Sequence, residues 1–204
     1  MIEFELKYKL TGLPQINLPL VKQKGQTDIY YDLPNGFLFT AGNFLRVRNS
    51  ARIDFKLFAG DLSHTYCRET SFNINDIKSA NHALIDLLLH IGLEKKEFNC
   101  FEEFLKAYSL EVLCPVVKNR KEYHLDNVII SLDEVEDIGL FLEAECHFEK
   151  GDIDITKEKV RIEELLLNQG ILTKDKYTPV KIGYVELYLK EKDYDLYLRG
   201  KYKD

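Results

Sequence analysis

Apolar and polar residues alternate with a period of two over most of this chain, in short runs separated by turn residues, as half-buried β-strands do. Residues 2–10 read as a strand, and 14–25 as a turn with a weak helix. Segments 27–32, 37–40, 44–49, 53–58 and 66–73 read as short strands of an antiparallel meander, with a turn at Leu33-Pro34-Asn35-Gly36. The period then changes. Behind an Asn75-Asp76 cap, Ile77, Ala80, Leu84, Leu87, Leu88 and Ile91 recur at helical spacing, which predicts a helix over 76–91 that stops at Gly92. Phe101, Phe104, Leu105 and Tyr108 predict a second short helix within 94–114, an insertion or a lid. Strands follow at 116–125, 128–134 and 140–148, the first two joined by Asp126-Asn127, and then a helix over 156–168 between Thr156 and Gly170. Residues 181–187 fit strand or helix, and 188–204 read as a charged, tyrosine-rich, solvated tail, although a terminal helix plugging one end is conceivable. No repeat, low-complexity segment or linker divides the 204 residues, so one domain is expected over 1–204.

Alternate residues of each strand gather the charges. Glu3, Glu5 and Lys7 share one face of the first strand, and Phe4 and Leu6 the other. Arg46 shares a face with Arg48, Asp54 with Lys56, and Arg68 with Thr70 and Phe72. Lys118 aligns with Arg120, Glu122 and His124, Asp133 with Ile129 and Ser131, and Glu143 with Glu145 and His147. The opposite stripes, such as Leu45 and Val47 or Leu142, Ala144 and Cys146, are apolar or small. A sandwich with its charged faces in water would produce this pattern. So would a closed barrel with the charges inside and helices covering its apolar outer wall.

Composition narrows the function classes. A hydrophobic content of 45% supports a sizeable core, and 12 Tyr and 12 Phe without Trp favour β structure. No run approaches a membrane span and the amino terminus lacks a signal-peptide pattern, so a cytoplasmic protein without membrane contact is expected. A net charge of −6 argues against general nucleic-acid binding but leaves room for a local basic cavity. Cys67, Cys100, Cys114 and Cys146 form no C-x-x-C pair and read as reduced thiols. His64, His82, His90, His124 and His147 lack ligand spacing and read as structural or surface residues.

If the charged stripes face one channel, Glu3, Glu5, Asp133, Glu143 and Glu145 repel one another. Like charges 4 Å apart cost about 4 kcal/mol at an effective dielectric of 20. They need a cation, and Lys7, Arg46, Arg48, Lys56, Arg68, Lys118 and Arg120 need an anion. A polyphosphate with one or two Mg²⁺ or Mn²⁺ ions satisfies both sets.

These residues resemble a known family. Glu3-Phe4-Glu5-Leu6-Lys7 is similar to the E-x-E-x-K signature of the CYTH superfamily, the triphosphate tunnel metalloenzymes, which include class IV adenylate cyclases, thiamine triphosphatases and inorganic triphosphatases. Later pieces follow in order: Asp28-Ile29-Tyr30-Tyr31-Asp32 resembles D-x-Y-Y-D, Leu45-Arg46-Val47-Arg48 L-R-x-R, and Phe55-Lys56-Leu57 the lysine strand. Lys118-Asn119-Arg120 resembles K-x-R, Leu132-Asp133 the L-D strand, and Leu142-Glu143-Ala144-Glu145 F-x-E-x-E. The resemblance implies an α+β fold: a closed eight-stranded antiparallel β-barrel forming a tunnel, with helices packed outside. It implies that Glu3, Glu5, Asp133, Glu143 and Glu145 hold or adjoin the metal. It also implies that Lys7, Arg46, Arg48, Lys56, Lys118, Arg120 and, on a looser K-x-S-Y match, Lys181 hold a triphosphate. One departure stands out. The family often shows R-x-E-x-E where this chain has Arg68-Glu69-Thr70-Ser71, so only one of Arg68 and Glu69 can face the tunnel, and Arg68 is the expected one.

The leading expectation is a metal-dependent triphosphatase, monomer or homodimer, with Glu5 and Lys7 closest to the chemistry. The alternatives are a class IV adenylate cyclase and a non-catalytic polyphosphate-binding module.

Overall fold

Nine strands and six helices make up the described part of the computed structural model, which covers residues 2–58, 67–148 and 154–203; the side chains at 2, 3, 58, 67–69, 78–81 and 83 lie outside the described set. The order is β1 (Ile2–Leu10), β2 (Leu20–Asp32), α1 (Phe37–Thr40), β3 (Phe44–Arg48), β4 (Arg52–Phe58), β5 (Cys67–Asn73), α2 (Ile77–His90), α3 (Phe101–Tyr108), β6 (Glu111–Leu125), β7 (Val128–Val135), β8 (Gly139–Phe148), α4 (Ile155–Asn168), β9 (Tyr177–Val180), α5 (Tyr184–Lys192) and α6 (Tyr194–Arg199). Every strand pair is antiparallel, in the order β5-β4-β3-β2-β6-β7-β8-β1-β9.

This corrects the expected closed eight-stranded barrel. There is a ninth strand, and among the described residues β5 and β9 stand at opposite edges without pairing, so the sheet is open. β9 is only four residues long and carries Pro179, which has no N–H to offer a ladder.

The outer face of the sheet is apolar and covered by helices, as expected. Leu45, Val47, Ile53, Phe55 and Leu57 pack under α2 and α3. On the other flank Phe4, Tyr8, Ile130, Leu132, Leu142 and Ala144 pack under Ile162 and Leu166 of α4. Full burial of such a side chain contributes about 1.5–3 kcal/mol.

Three local readings change, the first being the weak helix within 14–25, where β2 already runs from Leu20 because it pairs with β6. Residues 37–40 form a helical turn rather than a strand, because Asp32 accepts from the backbone N–H groups of Leu33, Leu38 and Phe39 at 2.7, 2.7 and 2.8 Å. Gly36 enters that turn at φ +70°, and a Cβ there would lie 2.6 Å from Leu196 Cδ1. The tail is not a solvated segment. α5 and α6 bury Val185, Leu187, Leu189, Leu196 and Tyr197, and Tyr202 beyond them, in a third cluster with Phe39, Phe44, Val116, Val135 and Phe141.

Candidate active site

The third cluster lies on the inner face. Phe44 alternates with Arg46 and Arg48, Val116 with Lys118 and Arg120, Val135 with Asp133, and Phe141 with Glu143 and Glu145. At one end, therefore, each charged stripe becomes apolar, and α5, α6 and the Phe39 turn are seated there. Above this floor comes a layer of Arg46, Asp28, Lys118, Asp133, Glu143 and Lys7, and above that Arg48, Gln26, Arg120, Ser131, Glu145 and Glu5. The successive pairings Asp28↔Arg48, Gln26↔Lys118, Arg120↔Asp133, Ser131↔Glu143 and Glu5↔Glu145 set this stagger. The most exposed side chains lie away from the floor, 28% at Glu5, 39% at His147 and 44% at Arg52, although Gln26 and Ser131 stay buried.

One network joins six of the expected residues. Lys7 Nζ lies 2.8 Å from Glu5 Oε1 and 3.2 Å from Glu143 Oε1. Arg120 donates to Glu143, and to Asp133 through Nε at 2.6 Å and Nη2 at 2.5 Å. Lys118 Nζ reaches Asp133 Oδ2 at 2.7 Å. A second group lies beside it. Arg48 grips Asp28 with two bonds at 2.8 and 2.9 Å, and Arg46 donates to Asp54 at 2.7 and 3.0 Å while lying 3.6 Å from Asp28. Ser71 and Arg52 also donate to Asp54.

The charges shift one another. Burial pushes Glu143 up, but Lys7, Lys118 and Arg120 outweigh it and hold the carboxyl well below the usual range. Burial opposes the Lys7 ammonium, yet Glu5 and Glu143 prevail and raise its pKa. For Lys118 burial wins and Arg120 adds to it, so its pKa is lowered despite Glu143 and Asp133. The contrast has a simple source: Lys118 shares Asp133 with Arg120. Asp28 and Asp54 are likewise held low against burial, by Arg48 and Arg46 at Asp28 and chiefly by Arg46 at Asp54. Ion pairs buried this deeply add little net stability, because desolvation offsets their attraction.

The remaining expected residues are placed differently. Glu145 lies 2.5 Å from His147 Nε2. Lys56 is half-buried opposite Phe44, and with Arg46 it draws down the Tyr30 phenol that burial raises. Lys181 follows β9 and is exposed. The side chains of Glu3 and Arg68 lie outside the described residues. In the backbone register position 68 stands opposite Leu57 and position 69 opposite Lys56. Among the described residues no three His, Cys, Asp or Glu side chains converge as a ready metal site.

Sequence reasoning missed three residues of this site. Asp28 lies in the strand expected over 27–32 and in the D-x-Y-Y-D match but carries no expected site role, and Gln26 lies on a stretch of β2 too polar to read as a strand. Gln26 is buried, its Nε2 donates to Asp28 at 2.9 Å, and its Oε1 has no hydrogen-bond partner among the described residues. Tyr184, the first residue of α5, donates to Asp133 at 2.9 Å, and both Lys7 Nζ and Lys118 Nζ stand 4.7 Å from its ring centroid. Its phenol is raised far above its ordinary pKa by burial and by Glu143 and Asp133, so it remains a donor.

Comparisons with known proteins identify the family and the fold. Residues 1–178 match the CYTH domain. A protein of Methanocaldococcus jannaschii provisionally named an adenylate cyclase, MJ0240, is 25% identical over 194 residues, covering 92% of this chain and 98% of its own. Among solved structures, the PH1819 protein of Pyrococcus horikoshii superposes with a TM-score of 0.61 at 21% identity, over 93% of this chain and 99% of its own. HpAC1 of Hippeastrum, a provisionally named adenylyl cyclase whose structure is described as revealing a dominant triphosphatase activity, gives 0.58 at 17%, over 94% and 96%. These two structures share the fold.

Proposed function

The chain belongs to the CYTH family, and on that premise we propose that it is a divalent-metal-dependent hydrolase of a triphosphate. The observation that carries the reading is the buried network Lys118–Asp133–Arg120–Glu143–Lys7–Glu5, in which every cation is held by an acid it can release. The channel's own charges are close to balanced: Lys7, Arg46, Arg48, Lys118 and Arg120 stand against Glu5, Asp28, Asp54, Asp133, Glu143 and Glu145. A triphosphate brings about four further negative charges, which a nearly neutral channel accepts only with accompanying divalent cations.

Glu5 and Glu143 offer such an ion two carboxylates, although no third acid is preassembled beside them among the described residues. Lys7 Nζ is a point charge bracketed by Glu5 and Glu143, so a hard cation taking its place meets the same carboxylate oxygens. Glu145, and Glu3 by the alternation of the sequence, would complete the set. Asp133, already accepting from Lys118, Arg120 and Tyr184, is better suited to aiming those donors than to ligating directly. Bound Mg²⁺ or Mn²⁺ would supply charge neutralisation and a more acidic water.

With such an ion held by Glu5 and Glu143, Lys7 and the arginines would turn their donors to phosphate oxygens. Water attacks the terminal phosphorus, the bridging P–O bond breaks, its electron pair leaves with the diphosphate, and the proton of the water passes to solvent. Arg46, Arg48, Lys118 and Arg120 offset the charge on the separating phosphates, and Lys7 contacts the triphosphate or orients the water.

The name of the Methanocaldococcus relative supports a second reading, the cyclase reaction. There the ribose 3′-hydroxyl attacks the α-phosphate and pyrophosphate leaves. Incubation with ATP, inorganic triphosphate and thiamine triphosphate, each with Mg²⁺ or Mn²⁺, distinguishes the readings. Orthophosphate as the sole new phosphate product supports the hydrolase, and cyclic AMP with pyrophosphate the cyclase. Absence of product from every substrate leaves a binding module.

A further inference from the structure

Gln26 is buried on the inner face, 2% exposed, and its amide is anchored on one side only. Nε2 donates to Asp28 Oδ2 at 2.9 Å, two residues along the same face of β2. Against burial, Arg48 and Arg46 hold Asp28 ionised, and a carboxylate only accepts. The amide nitrogen must therefore face Asp28 and the oxygen must face away from it. That oxygen, Oε1, has no hydrogen-bond partner among the described residues. The cations of the adjoining strands do not serve it. Lys118, directly opposite Gln26 in the β2–β6 ladder, donates to Asp133. Arg120, the next inner-face residue of β6, donates to Asp133 and Glu143, and Arg48 donates twice to Asp28. An unpaired acceptor buried among so many donors is destabilising until a ligand brings it an O–H.

We infer that Gln26 is a catalytic residue: its Oε1 accepts a hydrogen bond from the nucleophilic hydroxyl and aims that oxygen at phosphorus. The inference rests on the triphosphatase reading above and adds a residue to its chemistry. A bound triphosphate whose charge is matched by cations presents only acceptor oxygens, so it satisfies Lys118, Arg120 and Arg48 but not Gln26. The O–H that must enter with it is the attacking one, a water in hydrolysis. A primary amide is too weak a base to remove a proton, so its part is orientation. One O–H of the water stays on Oε1 while a lone pair of its oxygen points at phosphorus. The new O–P bond forms as the bridging P–O bond breaks, the electron pair of that bond leaves with the diphosphate, and one proton of the former water passes to solvent.

The test separates turnover from binding. Gln26→Met keeps the length of the side chain and removes the acceptor. With Mg²⁺, its kcat for inorganic triphosphate should fall at least about tenfold, while calorimetric affinity for the hydrolysis-resistant imido analogue of inorganic triphosphate should stay within about threefold of wild type. Gln26→Glu, which restores an oxygen at the same reach, should recover most of the lost turnover. If Gln26→Met does not fold, Gln26→Asn, which withdraws the oxygen by one methylene, carries the same comparison. An unchanged kcat overturns the inference. So does an equal fall in kcat and affinity, because loss of the Gln26–Asp28 bond alone would act through Arg48 on binding. Both results leave the triphosphatase reading intact. If the wild type instead converts ATP into cyclic AMP and pyrophosphate, the hydrolase reading falls alone, provided that Gln26→Met loses cyclisation at unchanged affinity, the nucleophile then being the ribose 3′-hydroxyl. A wild type that binds the analogue and turns over no triphosphate removes both.

Discussion

Tyr184 on α5 donates its hydroxyl to Asp133 on β7 at 2.9 Å, which ties the carboxy-terminal helices to a carboxylate that also holds Lys118 and Arg120. Removing that donor leaves Asp133 to draw the two cations more tightly to itself. In Tyr184→Phe the ring and its packing on Phe141 remain, so the fold is expected to persist. A hydrogen bond to a charged group is worth about 1.5–3 kcal/mol, so KM for the triphosphate should rise about tenfold. An unchanged KM with normal folding would show that the hydroxyl does not tune the site.

Glu5 is half-exposed and its oxygen lies 2.8 Å from Lys7. Glu5→Gln keeps the shape and removes one carboxylate of the pair that brackets Lys7. Turnover should fall at least about a hundredfold with little change in melting temperature, because Glu143 still holds the lysine. A near-normal rate would remove Glu5 from the metal set.

Asp28 and Asp54 have folded pKa values below their unfolded ones. The sign follows directly: their stabilisation is fully present above the unfolded value, about 4, and is lost as pH falls through the lower folded values. Melting temperature should therefore hold from neutrality down to about pH 5 and drop below about 4. Asp28→Asn should melt lower at pH 7 and show a shallower fall in acid, which thermal unfolding across pH would reveal.

Asp32 acts on the backbone. It accepts three N–H groups around the first turn of α1, and Asp32→Ala should cost about 1–3 kcal/mol in stability. Denaturant unfolding measures this, and kcat of the protein that remains folded should change little.

Much of this was legible in the chain because a strand writes its two faces in alternate letters. Glu5 and Lys7, Arg46 and Arg48, Lys118 and Arg120 stand together as that alternation predicts, and the helices over 77–90 and 155–168 sit within one residue of their apolar periodicity. What escaped lacked contrast or depended on distant contacts. Residues 20–26 of β2 are almost wholly polar apart from Leu20 and Val21, so nothing marks them as a strand. Phe37-Leu38-Phe39 reads as strand until the Asp32 carboxylate bends it into a turn. Tyr184 gains its role only because β9 pairs Val180 with Lys7, a relationship across more than 170 residues that no local pattern carries. The edge register that opposes position 69 to Lys56 is hidden similarly, since Arg68 and Glu69 are equally polar letters.

The four residues of β9 are a slender attachment for a segment with so much influence. The charged inner face is built from the long strands, whereas Tyr184 reaches Asp133 from a helix that follows this four-residue strand. Lengthening or shortening the span between Val180 and Tyr184 would therefore shift the phenol against Asp133 without altering any residue of the long strands.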